Sequence, residues 1–305
     1  MKIKRSISYV ILGGVYLLAG VAGVLTYIAL DHLGVWLALL IADVVATLVT
    51  FVFSVVFKNA SVYDPYWSVA PLVIVLGFAI VHGLNLASTL LLVVIAIWSL
   101  RLTANWAYTF HGMEHQDWRY TMLCEKTRYF YPIVNLIGIH LVPTLVVYLC
   151  IMPAVLLVQS GAPIRLVSIA PLLLSVLGIV LEFVADIQMH IYRKNRTEPF
   201  IRFGIWKHSR HPNYLGEILM WWGVALYCIS VIPSLWYLYI GAIANTILFL
   251  LVSIPLADGR QSRKEGYEQY EAETNSLMPF KRVDTKRRKA KPKEETENEV
   301  EADVK

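Results

Sequence analysis

Long apolar runs alternate with short polar breaks along the chain, and the runs are too long for the core helices of a water-soluble domain. Stretches that reach about 20 residues, the length a helix needs to cross about 30 Å of hydrocarbon, lie near 8–30, 35–57, 69–87, 88–110, 133–158, 166–187, 213–231 and 235–257. This pattern predicts eight crossings, of which the fourth and seventh are the most interrupted by polar residues. The first run follows Lys2, Lys4 and Arg5 as a secretory signal would. Its apolar core exceeds signal length, so it is expected to be retained as an anchor.

Composition points the same way. The 305 residues are 57 % hydrophobic and 16 % charged, with mean hydropathy +0.57, far from the make-up of a soluble domain. The expected fold class is all-α, a polytopic integral membrane bundle of seven to eight transmembrane helices. It divides into N-terminal transmembrane helices over 1–58, a main transmembrane domain over 59–280 and a charged, disordered cytoplasmic tail over 281–305.

Basic residues accumulate on the cytoplasmic side of membrane proteins. With both termini cytoplasmic, the five inside segments hold 3, 1, 3, 6 and 12 of the 27 Lys and Arg residues, leaving Arg165 outside and Arg101 within the membrane. The tail carries the basic block "KRVDTKRRKAKPK" (281–293) followed by acidic "EETENEVEAD", a solvated arrangement with at most a weak hold on anionic lipid head groups. Cys124, Cys150 and Cys228 have no metal-like spacing and predict neither a disulfide nor a zinc knuckle. No internal repeat or nucleic-acid motif is visible.

Ionisable residues inside spanning helices cost several kcal/mol in lipid and mark candidate sites. They are Asp43, Arg101, Glu182, Asp186 and Glu217. Glu182 and Asp186 are one helical turn apart, and His190 and Arg193 continue their stripe toward the cytoplasm. The loop that follows, "YRKNRTEPFIRFGIWKHSRHPNY", is the most basic between helices and includes Lys207, Arg210 and His211. The positive-inside rule alone would explain its charge. However, "HSRHPNY" also reads as a helix start with Pro212 at the first position, which predicts a positively polarised N-terminus among basic side chains, suited to phosphate or carboxylate. Asn213 and Glu217 share one face of that helix, with Met220 and Trp221 beyond, a spacing that can grip ribose hydroxyls or a carboxamide. Together the two helices predict a polar pocket open to the cytoplasm.

"GIWKHSRHPNYLGEILMWWG" (204–223) resembles the C-terminal signature of the steroid 5α-reductase family, in particular its prokaryotic branch. Glu182, Asp186 and Gln188, "IPLADGR" (254–260) and "GYEQYEAETNSLMPF" (266–280) resemble further blocks of its C-terminal part, and "DPYWSVAP" (64–71), "RLTANW" (101–106) and "QDWRY" (116–120) resemble its N-terminal landmarks. The resemblance implies reduction of a C=C bond conjugated to a carbonyl, in a lipophilic steroid- or isoprenoid-like substrate, with NADPH bound from the cytoplasm of a prokaryotic inner membrane. It implies Asp186, Arg193, Asn213, Tyr214 and Glu217 as cofactor residues, joined by Glu182, Lys207, Arg210, His211 and Arg260. Glu182 departs from the Asn usual in the steroid enzymes. The Gln-Glu pair those enzymes use with a Tyr has no match here, and the nearest substitute is "VYDPYW". Tyr63, Asp64 and Tyr66 are therefore the candidate acids; the alternative is interfacial aromatics with a capping Asp. Arg101 and Arg119 are equally readable as structural partners of Asp43 or Asp117.

Three other readings compete. Membrane methyltransferases of the isoprenylcysteine and phospholipid type share an "RHPxYxG" helix start that grips S-adenosylmethionine, and Asn213, Glu217 and the Glu182/Asp186 stripe weigh toward the reductases. "HGMEH" (111–115) satisfies the H-x-x-E-H zinc motif, but Gly112 disfavours the helix the motif demands and a third ligand is missing, so no metal is expected. A transporter is disfavoured because no Gly/Pro-broken helix pair recurs in two halves.

Overall fold

The computed structural model describes residues 4–279. The charged tail expected at 281–305 lies outside the described residues. Among the described residues the only strand-like contact is one isolated parallel bridge, between Ser209 and Asn275; the rest is helix and connection. Eight helical segments are long and apolar enough to cross a bilayer: 5–33, 35–56, 60–82, 86–109, 118–160, 166–195, 212–231 and 233–261. The protein is thus an integral membrane helical bundle, as the hydrophobic runs predict.

α1 (Arg5–Leu30) and α2 (Val35–Val56) form an antiparallel pair broken at Gly34, whose φ of 81° no β-branched residue would tolerate. α3 (Tyr66–His82) and α4 (Leu86–Thr109) follow. The apolar pattern places this boundary at 87/88, but it falls at Gly83 to Asn85. Gly83 takes φ 77°, and Asn85 starts α4 with a capping box, its side chain accepting from Ser88 N–H while Ser88 Oγ accepts from Asn85 N–H. Hydropathy cannot see either signal, because 83–88 is apolar on average.

α5 (Trp118–Thr127) is a short helix ahead of the fifth crossing, which runs through α6 (Tyr131–Val134), a π-helical segment at Asn135–Leu141, and α7 (Val142–Ser160). The eighth crossing is built alike, from α10 (Ile240–Leu248), a π segment at Phe249–Ser253 and α11 (Ile254–Gln261). In both, a proline lies two residues past the π segment, Pro143 and Pro255. A proline cannot donate to the preceding turn, and the ladder absorbs the missing bond by widening.

α8 (Ile169–Asn195) and α9 (Pro212–Val231) make the closest helix pair in the molecule. A Cβ on Gly178 would meet Gly216 O at 2.5 Å and Met220 N at 2.6 Å, and one on Gly216 would meet Glu182 Cγ at 2.5 Å. Small residues let backbones approach where lipid supplies no hydrophobic drive, and this approach brings the turns bearing Glu182 and Glu217 together. α8 continues to Asn195, a further two turns past its apolar run, and ends in Arg193 and Lys194, the charge that favours a helix C-terminus. α12 (Tyr267–Glu273) closes the described chain.

Candidate functional site

α4 offers one polar face to α8 and α9. Trp98, Arg101 and Asn105 stand three and four residues apart and meet partners in the same order. Trp98 Nε1 donates to Glu217 Oε2 at 2.9 Å, and Trp221 Nε1 to its other oxygen at 2.8 Å, so both oxygens of this buried carboxylate are held by indoles. Arg101 Nη1 donates to Asp186 Oδ2 at 2.7 Å and Nη2 pairs with Glu182. Asn105 Oδ1 bonds His190 Nε2 at 2.8 Å. This zip of matched one-turn spacings fixes α4 on α8 from the middle of the helix to its C-terminal end. Arg101 Nε and Glu182 Oε1 remain buried without a hydrogen bond.

Where the zip reaches the C-terminal end of α4, a cleft opens between the ends of α4, α8 and α9 and the C-terminal helices. Asp186, Arg193, Arg210, His211, Asn213, Tyr214 and Arg260 line it, together with His190 and Trp118. The first turn of α9 has Pro212 at its start and no side-chain cap, leaving its amides to face the cleft. The side chains of Asn213 and Arg193 make no hydrogen bond among the described residues. The Tyr214 ring stacks on His211 with centroids 5.1 Å apart, and the Arg260 guanidinium lies 4.4 Å over the Trp118 ring. Free amide and guanidinium donors beside flat aromatic faces fit an anionic ligand carrying an aromatic ring.

One carboxylate closes the cleft. Asp258 Oδ1 accepts from His211 Nε2 at 2.9 Å and from Tyr267 Oη at 2.5 Å, and Oδ2 from Arg210 Nη2 at 2.8 Å. Arg210 Nη1 also donates to the carbonyls of Glu271 and Thr274, and the amides of Arg210 and His211 donate to the carbonyls of Asn275 and Ser276, both at 3.0 Å. Burial works against the Arg210 charge, but Asp258 more than compensates and holds its pKa above the ordinary value. Burial and then Asp258 push the Tyr267 phenol up. Residues 258–276 are thereby strapped across the start of α9.

A second, apolar cavity of about 400 Å³ lies among α1, α2 and α3. Its α3 wall runs from Tyr66 to His82, and exposed Val24, Ile28, Val73 and Val81 form its lipid-facing rim. Deep in it, Tyr66 Oη donates to Asp43 Oδ1 at 2.8 Å. Tyr66 and Asp43 are both buried.

Residues 50–274 match a family described as protein of unknown function (DUF1295). The chain belongs to this family. DUF1295 includes steroid 5α-reductase-like proteins. A DUF1295 chain of this kind is also similar to an uncharacterised protein of Schizosaccharomyces pombe, 28 % identical over 206 residues that cover 58 % of this chain and 59 % of the relative. The chain therefore spans well under two thirds of that relative's length. No solved structure matches it. The DUF1295 match takes in Tyr66 and the cleft helices and stops at Thr274, inside the strap; α1 and Asp43 fall before it.

Against this geometry, several sequence expectations for the DUF1295 chain need correction. Seven of the ten expected cofactor residues line one cleft, but Glu182 and Glu217 lie deeper, committed to Arg101 and to the two indoles. Lys207 faces a different groove, shared with Arg202 and His208, because the 3-10 turn at Gly204–Lys207 points it away. Arg210 and His211 spend their donors on Asp258 rather than offering them to phosphate. Of the three candidate acids, only Tyr66 reaches the apolar cavity. Tyr63 Oη bonds Thr144 Oγ1 at 2.8 Å, and Asp64 accepts from Tyr120 at 2.6 Å. The Tyr63 and Tyr66 rings stack with centroids 5.3 Å apart, but their hydroxyls go to different partners, Thr144 and Asp43. Arg101 pairs across α8 rather than with Asp43, whereas Arg119 pairs with Asp117 at 2.8 Å. The His111–His115 segment is irregular, with Gly112 at φ 105° and Met113 O accepting from Asn59, so it lacks the helix that H-x-x-E-H requires.

From the sequence, Asp43 has no role beyond its cost in the membrane and a candidate pairing with an arginine, and Trp98 and Asn105 have none. Asp43, Thr47, Thr50 and Ser54, at intervals of four, three and four, formed a readable signal. So did the match between α4 spacings and those of α8.

Proposed function

We propose that the protein is a membrane oxidoreductase that uses NADPH, held in the cytoplasmic cleft, to reduce a C=C bond conjugated to a carbonyl in a lipophilic substrate that enters from the bilayer. The observation that carries this reading is the Tyr66–Asp43 pair on the wall of an apolar, lipid-facing cavity. Reduction of an enone requires a proton donor at the carbonyl in a dry site, and the Tyr66 phenol serves as one when Asp43 is protonated and donates to it in turn, freeing the phenol proton for the carbonyl.

The cleft's donor set fits the cofactor. Asn213, Tyr214, Arg193 and Arg260 would hold it, with the α9 N-terminus toward phosphate. Bound there, a reduced nicotinamide supplies a hydride. From Asn213 the face of α9 leads in one turn to Glu217, then to Trp98, whose ring centroid lies 6.2 Å from that of Trp67, the neighbour of Tyr66. The cleft and the cavity share no lining residue, so this indole layer separates them and has to part for the nicotinamide and the double bond to reach transfer distance, about 3–3.5 Å. Glu217 orients Trp98 and Trp221 in that wall, the apolar helices exclude water, and Tyr66 gives its proton to the carbonyl oxygen as the substrate takes up the hydride.

The test is a thermal-shift titration of the purified protein with NADPH and, separately, with S-adenosylmethionine. A ligand at a hundred times its Kd adds about 2.7 kcal/mol of stability. NADPH is expected to stabilise, and Asn213→Ala and Arg193→Ala to weaken its binding without altering the fold. Stabilisation by S-adenosylmethionine alone would replace the reductase reading with a methyltransferase of the isoprenylcysteine or phospholipid type.

A further inference from the structure

Asp43, Thr47, Thr50 and Ser54 form one buried stripe down α2, from Asp43 in the membrane to the cytoplasmic end of the helix. Four polar residues on one face of a transmembrane helix are more than helix packing demands, since small residues suffice for close approach. What the stripe faces is also polar. Thr47 Oγ1 and Thr144 Oγ1 are 2.8 Å apart, and Tyr63 Oη is 2.8 Å from Thr144 Oγ1. The His140 ring lies 4.7 Å from the ring of Tyr63, centroid to centroid. Its Nδ1 bonds Asn135 O at 2.9 Å, and Asn135 Nδ2 donates to Ser54 Oγ at 3.2 Å. His140 is fully buried, and its Nε2 has no hydrogen-bond partner. At the other end Thr47 neighbours the Tyr66 hydroxyl that meets Asp43.

We propose that the hydroxyls facing this stripe are the route by which a proton taken from Tyr66 is replaced, passing from His140, which Asn135 holds in place, through Tyr63, Thr144 and Thr47 to the Asp43–Tyr66 pair. The inference rests on Tyr66 as the donor in the reductase reading. Each turnover adds one hydride and one proton to the double bond, so an apolar cavity would strand a tyrosinate unless a proton returned from water. The lipid-facing cavity wall offers no such supply. Between His140, an imidazole, and the Asp43–Tyr66 pair, each relay group (Tyr63, Thr144 and Thr47) is a hydroxyl able to accept one proton while donating another. Thr47, Thr144 and Tyr63 are positioning and relay residues; Tyr66 alone touches substrate.

The experiment needs neither NADPH nor an enone. Infrared difference spectra of the full-length protein in nanodiscs, with Asp43→Asn as the reference, isolate the C=O band of protonated Asp43, and its shift after rapid transfer to D₂O times proton exchange at that site. Wild type is expected to exchange within the mixing time. Thr47→Val and Thr144→Val should slow it by about 10²-fold, the low end of what a positioned proton-transfer group contributes, whereas Thr47→Ser and Thr144→Ser should exchange as wild type. A merely structural role would move the melting temperature of the valine variants and leave exchange unchanged, and that result overturns the proposal. So does an Asp43 with no protonated band at any pH from about 4 to 9, because a group that never takes the proton cannot pass it on. Either failure leaves the NADPH titration to decide the reductase reading by itself.

Discussion

At the scale of single residues, burial decides which charges matter. The side chain of Arg101 is 9 % exposed and faces two carboxylates, while Arg119 and Asp117 are 42 % and 26 % exposed. Removing one member of a buried ion cluster strands its partners and costs about 3–5 kcal/mol, whereas an exposed pair is worth about 0–1 kcal/mol. Arg101→Met is therefore expected to lower the stability of the bundle by that larger amount, with most of it regained when Glu182→Gln and Asp186→Asn are added, and Arg119→Ala to change little. Urea unfolding in detergent reads all three. The sequence marks these carboxylates as functional-site or structural candidates on cost alone; of the pairs Glu182/Asp186 and Asn213/Glu217 that helical spacing sets on one pocket, Asp186 and Asn213 line the cleft, while Tyr214, which also lines it, is marked only by the family resemblance. It could not show that Glu182 and Glu217 are already spoken for, because their partners lie 81 and 119 residues away, and no periodicity reports a contact between distant segments.

At the scale of elements, the α8–α9 pair and the strap make opposite demands. Where Gly178 and Gly216 pass, a Cβ on Gly216 would meet Glu182 Cγ and also the backbone of Gly178 at 2.6 Å, which cannot yield. Gly216→Ala should cost about 1–3 kcal/mol through overpacking, visible as a lowered melting temperature, and Gly216→Ala binding NADPH with wild-type stability would show the contact to be slack. The strap is held by polar bonds instead. Because burial and Asp258 raise the folded-state pKa of Tyr267, its contribution is complete below the ordinary tyrosine value of about 10 and is lost as pH rises through the folded value. Hydrogen exchange of residues 262–276 should therefore quicken on the alkaline side, above about pH 10, before the bundle loosens, and Tyr267→Phe should remove that dependence. Element boundaries were legible where glycine or proline punctuates the chain and illegible at Gly83–Asn85, where the punctuation sits inside apolar sequence. The π segments were likewise invisible, since they arise from a bond that Pro143 and Pro255 fail to make.

At the scale of the whole molecule, the count of eight crossings and the all-helical architecture were readable from hydropathy, because a bilayer fixes helix length more tightly than any soluble core does. The orientation with both ends in the cytoplasm is testable with a residue the chain already has. Cys124 is exposed, while Cys150 and Cys228 are buried. A membrane-impermeant maleimide should label Cys124 in inside-out vesicles and not in right-side-out ones; the reverse pattern would invert the topology. The strap also has a consequence for how the protein is made. Asp258 and the carbonyls it helps gather belong to the last part of the described chain, yet they hold Arg210 and His211 at the mouth of the cleft. A nascent chain can have threaded all eight helices and still lack this wall. The cleft's wall is completed by residues that follow the last crossing, so a copy terminated before them would reach the membrane with that wall missing.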